Sequence, residues 1–288
     1  MNNVEQQGFI SWVMVLGLTL WSGAAYAQQR PLVTEDPETV GAGVVLFEAG
    51  IEHNRQERFP LAGLQGNLWS SPVAGVSVGV GSIAEIQIDG GYNKLLVTEK
   101  SSATFSSVTN LIGKGDSTSS FQPLVIGTKI RLLSETGGRP AFGLRLATRL
   151  PNASNESGLG LDTTDYFASF LLGKTVESVR IVGNVGLGVV GDPTKGYQHN
   201  QLLLYGVSIS RAIFNALEVV TEINGRHNTK QGTPQLGIEN SSLMRFGARY
   251  TIGGARIDSA VLVGMRSTDP SIGFTLGFTY VFKAFQAP

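Results

Sequence analysis

The segment Ser271-Ile-Gly-Phe-Thr-Leu-Gly-Phe-Thr-Tyr-Val-Phe282 decides the fold. Ile272, Phe274, Leu276, Phe278, Tyr280 and Phe282 fall on one parity, and Ser271, Gly273, Thr275, Gly277 and Thr279 on the other. A period of two sends these sets to opposite faces of a sheet. One face is greasy throughout and the other is small or polar.

The same alternation recurs upstream. Leu217, Val219 and Ile223 interleave with Glu218, Glu222 and Asn224. Met244, Phe246, Ala248 and Tyr250 interleave with Arg245, Gly247, Arg249 and Thr251. Counting each such run predicts about twelve strands, near 43–54, 64–80, 83–95, 121–133, 140–150, 163–174, 178–190, 199–211, 215–226, 241–252, 255–266 and 271–283. Most have the roughly 9–11 residues that a tilted membrane strand needs.

The connections alternate in length. Tight turns are read at Gly81-Ser82, SETGGR, TVES, AIF and Gly253-Gly254; NRQERFPLAG, the stretch 96–120, NASNESGLGLD, DPTKGYQ and HNTKQGTPQLGIENS are long, and STDP is short. Short periplasmic turns opposite long outer loops are the habit of outer-membrane barrels. In hydrocarbon every backbone polar group must be paired, and a sheet achieves that only by closing. The expectation is therefore an all-β, antiparallel transmembrane barrel over residues 43–283, with a tail at 284–288. A soluble β-sandwich would also alternate, with its greasy face inward.

Composition agrees with the membrane reading. Charged residues are 15% of the chain, against about a quarter in soluble domains. Glycine numbers 37, the net charge is zero and cysteine is absent. Neutrality gives no argument for a nucleic-acid partner, and the lack of cysteine excludes thiol chemistry and Cys-ligated metal. Residues 9–21, FISWVMVLGLTLW, form an apolar run of signal-peptide length, followed by Ala25-Tyr26-Ala27. This predicts a cleaved signal peptide over 1–27, cut after Ala27, although the preceding MNNVEQQ carries no Lys or Arg. Residues 28–42, polar and Pro-bearing, are expected as an extended periplasmic lead-in.

If the greasy set meets lipid, the charged set lines an interior. Acids fall at Glu48, Glu52, Glu85, Asp89, Glu218 and Glu222. Bases fall at Lys129, Arg131, Arg145, Arg149, Arg180, Arg245 and Arg249, and the run 255–266 adds Asp258 and Arg266. Two readings stay open. The charges neutralise each other across neighbouring strands, or they set a transverse field in a water-filled pore.

Other chemistry finds little footing. The three histidines, His53, His199 and His227, sit at strand ends. Ser208 and His199 lie roughly 30 Å apart along one strand, too far for a dyad, while a Ser242 and His227 pairing stays open. Gly79-Val-Gly-Ser-Ile-Ala84 matches a dinucleotide fingerprint in letters, but a strand follows where a helix is required. Asn152-Ala-Ser and Asn155-Glu-Ser are sequons in form and turn sequence in context. Tyr92, Tyr166, Tyr205, Tyr250, Tyr280 and Phe282 suit an interfacial girdle. No enzyme activity, metal or cofactor is expected.

Arg30-Pro-Leu-Val-Thr-Glu-Asp-Pro-Glu-Thr-Val-Gly-Ala-Gly43, running into Phe47-Glu-Ala-Gly50, resembles the opening of bacterial barrels named for the meta-pathway of phenol degradation. Val76 to Tyr92 is similar to that family's second hairpin. The resemblance spans about residues 30–283. It implies an outer-membrane transporter associated with aromatic catabolism, and it transfers no catalytic residue. The function expected is passive uptake of small, hydrophobic or aromatic compounds, with the bilayer and the barrel-assembly machinery as partners. A closed barrel whose loops bind a partner and a lipid-modifying enzyme are the alternatives. Many such barrels end on an aromatic; here Phe282 or Phe285 qualifies, with Pro288 beyond.

Overall fold

The computed structural model describes residues 30–101, 112–153, 155–195, 198–230 and 236–286. The signal peptide expected over 1–27, with Ala25 and Ala27, lies outside them.

The strands are β1 (Val44–Phe59), β2 (Leu64–Gly79), β3 (Ala84–Lys100), β4 (Ser117–Phe121), β5 (Val125–Leu133), β6 (Ala141–Arg149), β7 (Asp165–Val176), β8 (Val179–Gly191), β9 (His199–Ala212), β10 (Leu217–Asn228), β11 (Ser241–Ile252), β12 (Ala255–Gly264) and β13 (Ile272–Lys283). A short 3₁₀ turn, Asn155–Ser157, interrupts the β6–β7 connection.

Apart from β4 and β5, each strand pairs antiparallel with its sequence neighbour, and β13 returns to β1 from Val44↔Lys283 to Arg55↔Ile272. That last ladder closes the sheet. β4 and β5 share one place in the ring, because β3 pairs with β4 at Tyr92↔Phe121 and with β5 at Asp89↔Val125. The ring is thus a closed twelve-stranded antiparallel barrel.

The two faces divide as the period requires. On β13, Phe274, Leu276, Phe278 and Tyr280 are exposed outward, while Thr275 and Thr279 are buried inside. On β3, Ile86 and Ile88 point out and Glu85 and Gln87 are buried. Outward leucines and phenylalanines meeting water would be costly, whereas acyl chains accept them. Aromatic clusters mark the rims, as in the stacked His53 and Trp69 (4.3 Å between ring centroids) beside Phe274.

Several expected boundaries move, and the run expected at 121–133 is β4 followed by β5. β1 runs on to Phe59, through residues read as loop, because Glu57, Arg58 and Phe59 still pair with Gly66, Gln65 and Leu64 of β2. A bulge with Gln56 at φ 58° absorbs the extra residue and breaks the alternation. β3 likewise extends to Lys100 against β2.

The larger correction concerns residues 30–42. They lie inside the ring. They add no strand to the sheet, yet Leu32, Thr34, Glu35, Thr39 and Val40 are buried. From Gly43 at the foot of β1 the chain turns back into the barrel. Its unpaired backbone groups and three acids find partners on the inner wall, where in the periplasm they would find only water.

Candidate functional site: a plugged lumen

The inner wall is a set of cross-strand charge pairs in register. Glu85 pairs with Lys129 between β3 and β5 (3.0 Å). Glu222 pairs with Arg245 (2.9 Å), and Glu218 with Arg249 (3.0 Å), between β10 and β11. Arg149 on β6 pairs with the buried Asp165 on β7 (2.6 Å from Nε). Neutralisation of this kind is what a low-dielectric interior demands, since a lone buried charge costs several kcal/mol.

Against this wall lies the segment 30–42, which we call the plug. It enters at Val40, whose N–H donates to Glu85 (2.7 Å). Glu38 pairs with Arg131 on β5 (2.5 Å), and Asp36 meets Arg180 on β8 through two hydrogen bonds of 2.7 and 2.9 Å. Glu35 sits between Lys129 (3.4 Å) and Arg145 (3.0 Å). The plug then crosses the lumen. The N–H groups of Val33 and Thr34 both donate to Glu222 on β10. At Arg30 the main-chain oxygen accepts from Arg249 (2.7 Å), the N–H donates to Glu48 (3.3 Å), and the guanidinium reaches Thr275 (2.8 Å) and Asp258 (3.6 Å). Contacts therefore reach strands on every side of the ring.

Glycines make the seat. A Cβ on Gly277 or Gly50 would stand 2.2 or 2.3 Å from the Arg30 guanidinium, and one on Gly206 would stand 2.7 Å from Thr34 Oγ1. Inward glycine is required wherever the plug approaches the wall this closely.

Cavities border the plug. One of about 260 Å³ lies between Arg30–Val33 and the wall bearing Glu48, Glu52 and Asp89. Another of about 470 Å³ lies on the short-turn side, between Thr34–Glu38 and the wall bearing Arg180, Glu218 and Arg256. Toward the long loops the interior changes character. Leu64, Leu68, Leu95 and Val97 are buried there against Phe59 and Leu159, and Val190, Leu202 and Ile238 form a second apolar cluster. The loops at Pro60–Gly63, 158–163 and 236–240 converge over this end, where a Cβ on Gly237 would meet both Leu61 and Leu161.

Most of the residues singled out from sequence face the lumen. Glu48, Glu85, Lys129, Arg131, Arg145, Arg180, Glu222, Arg249 and Asp258 touch the plug directly. Glu218, Arg245 and Arg149 are paired wall residues. Glu52 accepts from Asn54 (2.9 Å), and Asp89 stands 3.8 Å from Arg145 beside a cavity. Arg266 is a correction. β12 ends at Gly264, and Arg266 is exposed in the loop beyond, its N–H donating to Asp269 (3.0 Å). The alternation would have turned it inward had the ladder continued.

The sequence reading missed Arg30, Glu35, Asp36 and Glu38 as lumen residues, and with them Gln87 and Asn184 on the wall. One signal pointed to them. Bases at Lys129, Arg131, Arg145 and Arg180 crowd one side of the ring, and the chain holds a compact acidic run, Glu35-Asp-Pro-Glu38, to match.

No protein-family model and no curated protein matches the sequence. Solved structures do match. An outer membrane channel from Pseudomonas putida F1 superposes with a TM-score of 0.59 at 12% identity, covering 86% of this chain and 98% of the other. The NanC porin superposes with a TM-score of 0.52 at 7% identity, covering 82% and 98%. The likeness is one of fold. It extends along nearly the whole of both neighbours.

Proposed function

We propose that the protein is an outer-membrane channel for passive uptake of small solutes, held shut by its own N-terminal segment. The carrying observation is the nature of the plug's seat. Residues 30–42 are fixed by side-chain hydrogen bonds and ion pairs, contribute no strand to the ladder, and have cavities beside them. Their displacement would leave the barrel closed on itself. Lipid-facing strands and alternating loop lengths support the outer-membrane location, with the bilayer as its partner and the assembly machinery acting during insertion. The phenol-pathway resemblance and the apolar outer end of the lumen favour hydrophobic or aromatic solutes.

A closed barrel with partner-binding loops is the second reading, and the density of plug contacts favours it. In the enzyme alternative, the hydroxyl of Ser242 donates to Met265 Sδ (3.6 Å).

Solute influx into liposomes separates the first two. The intact protein should pass small solutes slowly, and a variant lacking residues 30–41 quickly. Equal impermeability of two folded barrels would end the channel reading and leave the closed barrel.

A further inference from the structure

We infer that the outer vestibule is a binding site for a small carboxylate with an apolar body. The inference rests on the uptake reading for its purpose, although its chemistry stands apart from it. Two chambers adjoin above the plug and share Arg58, Pro60 and Gly237 as a border. The first, about 230 Å³, is walled mainly by Phe59, Leu61, Leu150, Leu159 and Leu161. The second, about 400 Å³, is polar and contains Arg226. The apolar chamber lies just under the usual range for ligand pockets, so its guest is small.

Cationic donors face this junction. Arg149 lines the apolar chamber and gives part of its guanidinium to Asp165. Arg226 hydrogen-bonds to main-chain oxygens, Glu239 O (3.0 Å) and Gly237 O (3.4 Å), and makes no direct ion pair among the described residues. The two guanidinium charges are near enough to act on each other. Thr163 adds a buried hydroxyl without a hydrogen-bond partner.

Glu239, Asp269 and Glu57 offset that repulsion in part, and each arginine still has donors to spare for a carboxylate. Most acids nearby are engaged: Asp165 by Arg149, Glu239 by the Gly237 N–H, and Asp269 by the N–H groups of Ser242 and Arg266. Glu57 also lines the polar chamber and the exposed Asp162 the apolar one, which directs the ligand's head toward the border at Arg58 and Gly237. An alkyl or aryl tail then fills the leucine-lined side. A neutral alcohol would gain the tail contacts alone, and phosphate the head contacts alone.

Calorimetry on the full chain in nanodiscs tests this with hexanoate, hexanol and inorganic phosphate. Hexanoate should bind more tightly than either. Arg226→Gln should weaken hexanoate by about tenfold and leave hexanol unchanged, since hydrogen bonds to charged groups are worth roughly 1.5–3 kcal/mol. Leu161→Asn should weaken both. Each variant is checked for the heat-shifted gel band of a folded barrel. Equal binding of hexanoate and hexanol, or hexanoate affinity unmoved by Arg226→Gln in a folded barrel, overturns the inference. These outcomes leave the plugged-channel reading to its own flux experiment, which uses no hexanoate.

Discussion

The side-chain amide of Asn184 grips the main chain of Glu35 at both ends: Nδ2 donates to Glu35 O (2.8 Å), and the Glu35 N–H donates to Oδ1 (2.7 Å). An asparagine on β8 thus offers the plug the pairing that a neighbouring strand would. It satisfies two buried backbone groups that have no ladder of their own. Asn184→Ala removes both bonds and leaves those groups unpaired, at about 1–3 kcal/mol each. The plug should then loosen while the barrel stays closed. Hydrogen exchange should show faster exchange confined to residues 33–36, and solute influx should rise.

Gly206 faces Thr34, and a side chain there competes for the plug's place. Gly206→Val is expected to displace residues 33–35 and raise influx toward the level of the variant lacking the plug. Influx unchanged in a folded Gly206→Val barrel would mean the seat is not where solutes pass.

Lys129 is fully buried between Glu85 and Glu35. Lys129→Met strands Glu85 in the interior, while Glu35 keeps Arg145, and should cost about 3–5 kcal/mol. Adding Glu85→Leu should restore most of that loss, because an apolar pair needs no charge balance and Glu35 stays paired with Arg145. Midpoints of urea unfolding in lipid report both effects.

The turn between β5 and β6 carries a pH-sensitive clamp. Burial pulls the Glu135 carboxyl upward, but the Thr175 N–H, Lys174 and the Arg180 charge outweigh it and hold its pKa below the ordinary carboxylate range. A lowered folded-state pKa gives stability that is complete above the unfolded value and is lost as pH falls through the folded one. Arg180 also holds Asp36, so acidification should loosen the plug's foot. Influx should rise as pH drops below the normal carboxylate range, and Glu135→Gln should flatten that part of the profile.

The barrel was legible in sequence because a membrane enforces a strict period of two. The reading failed where that rule relaxes. β4, Ser117–Phe121, has only serine, threonine and one phenylalanine, so it shows no greasy face. Residues 55–59 lose their alternation at the Gln56 bulge. The plug follows no period at all; its position is set by charge complementarity with strands distant in the chain, which a local pattern does not display. The inward wall charges were readable one by one, but not the segment that joins them.

The central claim is that residues 30–42 lie inside the barrel and block it. An ideal Cβ on Gly206 stands 3.5 Å from Thr34 Cβ, within the range a disulfide spans, and the native chain has no cysteine to interfere. The direct measurement is cross-linking in a Thr34→Cys, Gly206→Cys chain inserted in membranes, with single-channel conductance recorded before and after reduction. The account predicts near-complete cross-linking, a silent oxidised barrel, and current events that appear when the bond is reduced. A folded barrel with no cross-link, or one whose conductance ignores the state of that bond, would contradict it.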